Sequence, residues 1–563
     1  MRIIYLSLLM LSLHFCAIAQ TLPVGLLSNV EDAYRREQLL GKDTSQSSYM
    51  IRPIFFNGRN NVALDPDSSK YSLYNFRKLL YSNPKLKAEV YALPVVWQQQ
   101  LNSHHPFGMN DGSMIQANGY QTQVSAGIYA KVGPLSIQLR PEYVYAENKH
   151  FSTLQGSNTA SEFKNADFIF QNFIDNPERY GTKSYSKLNW GQSSIRLDFD
   201  PISVGISNEN LWWGPGVHNA LLMTNNASGF KHVTLNTTRP VDIYIGKIEA
   251  QIVGGRLDAS GIGVDGTNAF LSYEPKPDDW RYFSGIAFTY QPKWVPGLFL
   301  GFDRSFIVYR QDMGNTLGDY LPFLSSVEKA GKDESASSVE DQKRRDQYIS
   351  FFGRYVMPES HSELYVQWGR NDHSYNLRDF FTKPEHTRAY VAGFRKLIPL
   401  KRSNEYIQLG VEVTQMEKPP VESRTEYIGP LAWYAHYQVR DGYTNLGQVL
   451  GAGIGPGSNS QTLDVSWVKG LKRIGFTFDR IVRNNDLYWV SKTSDSRRHW
   501  VDAAIKGHFS WDFKQLVLNS EMTYIHSFNY HYGLIQDPNA FAWDWEHQDA
   551  QNFHLKVGLL YKF

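Results

Sequence analysis

The sequence predicts an all-β fold: a transmembrane antiparallel β-barrel of about eighteen strands, with a small N-terminal helical segment as periplasmic cap or plug. Three observations carry that prediction. From Asn552 to Phe563 the chain alternates, with Phe553, Leu555, Val557, Leu559, Tyr561 and Phe563 on one face. Asn552, His554, Lys556, Gly558 and Lys562 fall on the other, and Leu560 is the one lapse. Successive side chains of a strand point to opposite sides, so one face suits lipid and the other a wetter interior. Second, beyond the N-terminal segment no apolar run approaches the roughly 18 residues of a helical span. Third, short turns alternate with long polar stretches, as in barrels whose short turns lie on the periplasmic side.

The elements follow in chain order. Met1 to Gln20 carries Arg2, an apolar run from Ile3 to about Leu13 and the small-x-small site Ala17-Ile18-Ala19. This predicts a secretory signal over residues 1–19. Cys16 is the chain's one cysteine, so a mature chain from Gln20 has no thiol for disulfides, Cys-based metal sites or a Cys nucleophile. Residues 20–85 form the N-terminal segment, with Asn29 as cap of a helix over Val30 to Leu40, Asp32 in its first turn, and a second short helix over Tyr74 to Leu80. The barrel takes residues 86–563. Its clearest hairpin runs from Tyr120 to Tyr145 about a turn at Lys131 to Pro134. Further short turns fall at Phe199-Asp200-Pro201, Gln291 to Trp294, Pro358 to Ser360, Pro399 to Arg402, Lys469 to Lys472 and Asp512 to Lys514. The long polar stretches are 148–187, 311–346, 418–460 and 532–551.

Composition agrees. The chain holds 34 Tyr, 32 Phe and 14 Trp, enough rings to line both membrane interfaces of a barrel. Lys and Arg total 57 against 55 Asp and Glu, a balance that gives no reason to propose nucleic acid as a partner.

The terminal strand ending in Phe563 resembles those of bacterial outer-membrane β-barrels. The resemblance implies a Gram-negative cell outer membrane, contact with its lipids, recognition of the terminal aromatic by the barrel assembly machinery, and Phe563 in the periplasm. Counting strands back from there yields an odd number from residue 119 onward. Such barrels have an even number, which makes Leu86 to Gln99 the first strand. Pro94 and Pro240 weaken their strands. Strands are expected at 236–246, 473–490, 498–511 and 515–531 among others.

Three Gly-, Asn- and Trp-rich stretches do not alternate: Pro106 to Ser113; Asn210 to Gly216 with Thr224 to Ala227; and Gly442 to Asn459. Each lies between an ascending and a descending strand, so all three should gather at the extracellular end or fold from there into the lumen. The P-F-G-M-N-D-G run from Pro106, R-P-E at Arg140 to Glu142, W-W-G-P-G at Trp212 to Gly216, N-N-A at Asn225 to Ala227 and the His436 to Gly451 run resemble the capsule assembly protein Wzi family. The resemblance covers nearly the whole mature chain. It implies a non-enzymatic lectin barrel that holds capsular or other surface polysaccharide. Met109 and the charged stretch 311–346 depart from the pattern.

A pyranose stacks its C–H face on a ring and needs amides or carboxylates for its hydroxyls. Trp212 and Trp213 offer rings, and Asn110, Asp111, Asn225 and Asn226 offer polar partners. These six are the candidate glycan-binding residues, although the same residues would also serve to wedge the barrel shut. Arg140 and Glu142 share a face and fit an interior ion-pair set. No cofactor and no metal site is expected.

Two other function classes stay open. An outer-membrane lipid hydrolase or acyltransferase needs Ser, His and an acid in reach. No G-x-S-x-G element stands out, however; His218, His373, His386 and His436 fall in loops, and His526 and His531 on opposite faces of one predicted strand. A diffusion porin or sugar channel is the other class, since eighteen strands enclose room for water.

Overall fold

The computed structural model describes residues 20–25, 28–43, 45–56, 77–268, 271–324, 343–371, 377–382, 385, 387–418, 432–492, 495, 497–535, 539, 541 and 548–563. The predicted signal segment, Tyr74 to Phe76 of the second predicted helix, residues 325–342, His373 and His386 lie outside them.

Alternating runs form eighteen antiparallel strands. The first six are β1 (Ala88–Asn102), β2 (Gly119–Val132), β3 (Leu135–Leu139 and Glu142–Ala146), β4 (Tyr185–Asn189 and Ser194–Phe199), β5 (Ile202–Ser207) and β6 (His232–Thr237 and Val241–Ile243). Then come β7 (Gly246–Leu257), β8 (Arg281–Pro292), β9 (Leu298–Tyr309), β10 (Arg345–Met357), β11 (Ser362–Asn371) and β12 (Arg388–Pro399). The wall ends with β13 (Tyr406–Gln415), β14 (Asn459–Lys469), β15 (Lys472–Val482), β16 (Val501–Asp512), β17 (Leu516–Phe528) and β18 (Ala550–Tyr561). Chain neighbours pair throughout. Strand β18 pairs with β1 from Tyr561 opposite Val95 to His554 opposite Asn102, which closes the ring and removes its free edges.

The C-terminal alternation is realised in the wall. Phe553 and Tyr561 are exposed outside, whereas Asn552, His554 and Leu560 are buried on the lumen side. Rings are exposed at Phe199, Tyr244, Trp294 and Phe513 by the short turns, and at Phe528 and Phe553 by the long loops. Prolines break the ladder because they lack the N–H it needs. The β1–β2 register shifts between Leu93 and Val96 around Pro94, and Pro141 and Pro240 sit in the gaps of β3 and β6.

The helix α1 (Ser28–Leu39) lies inside the barrel at the short-turn end. Its apolar side, Val30, Ala33 and Tyr34, packs with lumen-facing Val96, Leu471, Val517 and Leu560. The lapse at Leu560 thus marks where the wall meets the helix, and burying such a side chain stabilises by about 1.5–3 kcal/mol. Leu39 and Met50 similarly pack on Phe299, Phe352, Val356, Leu397 and Val468. The polar side of α1 is held by charge. Asp32 takes Arg395 at 2.7 Å and Arg473 at 3.7 Å and also pairs with Arg36. Arg35 meets Glu363 at 3.0 Å, and Glu31 pairs with Arg52.

Several expected boundaries move. The helix starts at Ser28, so Asn29 is not its cap; its Nδ2 donates to Ser510 Oγ of the wall at 2.8 Å. Lys78 to Leu80, expected helical, belong to a strand, Lys78–Asn83, that pairs with the inner end of β1. The strand expected over 236–246 starts at His232 and ends at Ile243. The one expected to reach 490 stops at Val482, because Asn484 turns into the left-handed region (φ 30°) and its Oδ1 caps the helix α3 (Asn485–Val490). The one expected to reach 531 stops at Phe528, where Asn529, His531 and Tyr532 all take positive φ. His526 and His531 therefore do not share a strand.

Candidate functional site

The three Gly-, Asn- and Trp-rich stretches leave the wall between β1 and β2, β5 and β6, and β13 and β14, all at the long-loop end, and fold inward to meet. Asparagines join them. Asn225 donates Nδ2 to the Asn110 carbonyl (2.8 Å), accepts at Oδ1 from Asn210 Nδ2 (2.7 Å), and its carbonyl accepts from Gly112 N (2.7 Å). Asn226 donates Nδ2 to the Val449 carbonyl (3.0 Å) and accepts from Asn110 N (3.4 Å). Asn110 donates Nδ2 to the His218 carbonyl at 2.7 Å, and Thr224 Oγ1 donates to the Gly451 carbonyl at 2.5 Å. An amide both donates and accepts, so a single Asn ties together segments that share no secondary structure. The outcome is a septum across the lumen.

The W-W-G-P-G element joins this septum to the N-terminal segment. Trp212–Trp213 pairs with Ile51–Arg52, Gly214 N donates to the Met50 carbonyl (2.8 Å), and Arg35 Nη2 donates to the Pro215 carbonyl (2.8 Å). Both glycines are required by the close approach. Gly214 has φ +119°, and a Cβ on Gly216 would lie 1.8 Å from the Asn219 carbonyl oxygen. Trp212 is 4% exposed, with the Arg52 guanidinium 4.3 Å from its ring centre. Trp213 is 0% exposed; its Nε1 donates to Gln251 Oε1 at 2.7 Å and its ring packs on Phe283. Trp213 is a core residue, so of the two roles expected of it, a ring for a sugar or a wedge in the barrel, its burial fits the wedge.

Asp111 accepts from Lys556 Nζ of β18 at 2.6 Å. Arg140 and Glu142 are both buried on the lumen side, but each has its own partners rather than the other. Arg140 donates to the Pro94 carbonyl (3.0 Å), and Glu142 accepts from Gln192 (3.0 Å) and from Ser113.

Cavities lie on both sides of the septum. The inner one, about 330 Å³, is bordered by α1 and by Asn110, Asp111, Trp212 and Asn225. Asn110 Oδ1, Asn219 Oδ1, Trp212 Nε1 and His554 Nε2 are buried at its border without a hydrogen-bond partner among the described residues, which suits a wet chamber. The outer one, about 150 Å³, is bordered by Asn226, Gln448, Asp167, Glu178, Arg483 and Trp500, and Ile454 borders both. Asn176 is exposed and Glu178 half-buried at its rim.

The outer cavity is held by the loop helix α2 (Ser161–Gln171), α3 and the turn after β17. Trp500 stands edge-on to Tyr530, His531 and Tyr532, with ring centres 5.1, 5.2 and 5.9 Å away, and donates Nε1 to Asp502 at 3.0 Å. Asp167 accepts from Gln155 (2.7 Å) and Gln171 (2.5 Å), and Glu178 accepts from Leu154 N (2.8 Å). Burial raises both carboxyls above the usual range, and the Asp167 charge raises Glu178 further. Burial also pushes Asp486 of α3 up to about 7 and His531 down to about 3. The sequence offered no sign of Glu178, Arg483 or Trp500. They stand in a polar stretch or inside expected strands, with no spacing that links them.

Ser466 Oγ lies 2.9 Å from His508 Nε2, but Asp464 approaches that same nitrogen at 3.7 Å and also accepts from Ser466 at 2.7 Å. A catalytic triad puts the acid on the other ring nitrogen, so this group is a lumen network and not an activated nucleophile. Among the described residues no cluster of three or more His, Cys, Asp or Glu is arranged to hold a metal.

A closed wall of amphipathic strands, rings exposed at both rims, and a lumen occupied from both ends define an outer-membrane β-barrel with an occluded interior. The profile of the capsule assembly protein Wzi family matches residues 98–523, and the chain belongs to that family. In fold it is similar to Wzi of Escherichia coli, described as an outer-membrane protein involved in group 1 capsule assembly and a carbohydrate-binding β-barrel. The TM-score is 0.58 at 12% identity, covering 97% of this chain and 100% of that one. It also matches Acinetobacter baumannii OccAB2 (TM-score 0.39, 9% identity, 84% and 98% covered) and a BenF-like porin from Pseudomonas fluorescens Pf-5 (0.37, 7%, 84% and 99%). No curated protein matches the chain at a significant level.

Proposed function

We propose that this barrel binds surface polysaccharide at its outer end, without enzymatic activity, and so anchors and assembles the capsule at the cell surface. The observation that carries the reading is the outer cavity: a solvent-rimmed hollow floored by the septum, with a half-buried indole beside amides and carboxylates. Those groups are the complement of a pyranose, whose C–H face stacks on rings and whose hydroxyls pair with planar polar groups. Family membership supports it, as does the carbohydrate binding ascribed to the Escherichia coli relative. In this reading Asn110, Asp111, Trp212, Asn225 and Asn226 shape the chamber walls, and Trp213 supports them from the core.

Deleting the gene and comparing cell-bound with shed capsule tests the role. Retention should fall, and unchanged retention overturns it. The channel alternative is tested by planar-bilayer conductance. A lumen filled by α1 and the septum should pass no steady current, and sustained current from the purified barrel would favour the porin reading.

A further inference from the structure

We infer that the outer cavity is a subsite for one uncharged sugar unit, with Trp500 as its stacking ring and Glu178 as its hydroxyl partner. The inference rests on the polysaccharide reading above and adds the ligand's chemical class and the residues that would read it. Neither residue belongs to the sequence motifs.

Geometry argues for a single ring. At about 150 Å³ the cavity admits one small cyclic unit rather than a chain segment, and its rim at Asn176 and Glu178 opens to solvent. Trp500 is fixed before any ligand arrives, edge-on to three rings and hydrogen-bonded through Nε1, while staying half-buried. A ring whose orientation is already set loses little freedom on stacking, which favours binding. Amide groups of Asn226 and Gln448 border the same space.

Charge argues for an uncharged unit. The cation bordering the cavity, Arg483, is committed to Asp502, with Nε to Oδ2 at 2.8 Å. Asp167 and Glu178 border it too, and burial keeps both protonated to higher pH than free carboxyls, so among the described lining residues a uronate or phosphate would find no unpaired cation to offset its desolvation. Hydroxyls suit the same groups, since a carboxyl accepts from an O–H donor and, while protonated, donates its own O–H in return.

The test uses the full-length barrel in detergent on a resin carrying the host strain's purified capsular polysaccharide, with methyl glucoside, methyl galactoside and glucuronate as competitors. Wild type should be retained, the two methyl glycosides should release it, and glucuronate should not. Trp500→Leu should weaken retention by about tenfold, equivalent to roughly 1.4 kcal/mol. Because Trp500 also touches neighbouring rings, Glu178→Lys at the rim provides a gain-of-function control: its barrel should now be released by glucuronate in preference to the methyl glycosides. Release of wild type by glucuronate alone, or unchanged retention and competition in both variants, would overturn the subsite while leaving the polysaccharide reading intact. Failure of wild type to bind the resin at all would overturn both.

Discussion

At the inner end of the lumen, the polar side of α1 meets the wall through ionised groups: Asp32, also paired with Arg36 of its own helix, takes Arg395 and Arg473, and Arg35 takes Glu363. At the outer end the septum is tied by neutral amides and carbonyls, chiefly those of Asn110, Asn225 and Asn226, over a floor of buried rings. Both arrangements occupy the same kind of space, but they differ in what perturbs them. A buried ion pair adds little net stability yet is costly to break, because the charge left behind has no solvent. An amide network is indifferent to pH and loses its members one at a time.

The largest contrast should come from Asp32→Ala, which leaves three arginines around one vacated position and costs about 3–5 kcal/mol locally. Hydrogen exchange over Ser28–Leu39 should accelerate while exchange around Val449 to Gly451 stays as in wild type. Equal acceleration at both ends would mean that the two closures act as one unit through the Trp212–Arg52 pairing. Next, Asn225→Ala removes ties to Asn110 and Asn210 and strands buried polar groups, for a cost of about 1–3 kcal/mol. Exchange should then rise across residues 108–112 and 210–227, with α1 unaffected.

Titration should separate the ends in opposite directions. Burial would raise the Asp32 carboxyl, but Arg36, Arg395 and Arg473 outweigh it and hold the group well below its usual value of 3.8. A depressed acid stabilises above its unfolded pKa, so that contribution is lost as pH falls below about 4, and the inner closure loosens in acid. Asp486, raised by burial to about 7, behaves in reverse. The folded form holds the proton where the unfolded one has released it, so stability falls as pH rises from about 4 to 7, and the α3 region beyond the septum loosens while the amide ties themselves do not titrate. Asp486→Asn should flatten the outer profile in exchange measurements and leave the inner one unchanged. The smallest expected effect is that of Trp213→Phe on glycan binding: stranding Gln251 Oε1 in the core costs about 1–3 kcal/mol of stability, but binding stays at the wild-type level.

Much of the wall was legible because a strand repeats every two residues. Each alternating run states its own facing, and the turn prolines and glycines mark the ends. The boundary errors occur where a local cap overrides the pattern, as at Asn484 and Asn529, whose positive φ stops β15 and β17 short. The septum was legible only as a gathering of three stretches at one end. Asn110, Asn225 and Val449 are far apart in the chain, and no periodicity says which amide meets which carbonyl. Trp212 and Trp213, adjacent and alike in sequence, part company for the same reason: one lies under Arg52 at the inner chamber, the other on Phe283 and Gln251 in the core.

Sequence alone determined the alternation of the wall strands and the positions of most short turns, while the even strand number and the common end of the three motif stretches came with the resemblance to outer-membrane barrels. The alternation and the turns follow from local stereochemistry, which each residue carries with it. The tertiary structure decided which rings are open, which carboxyls keep their protons and how the lumen is divided into two chambers. Burial and pairing depend on segments brought together across the barrel, so no single stretch of chain contains them.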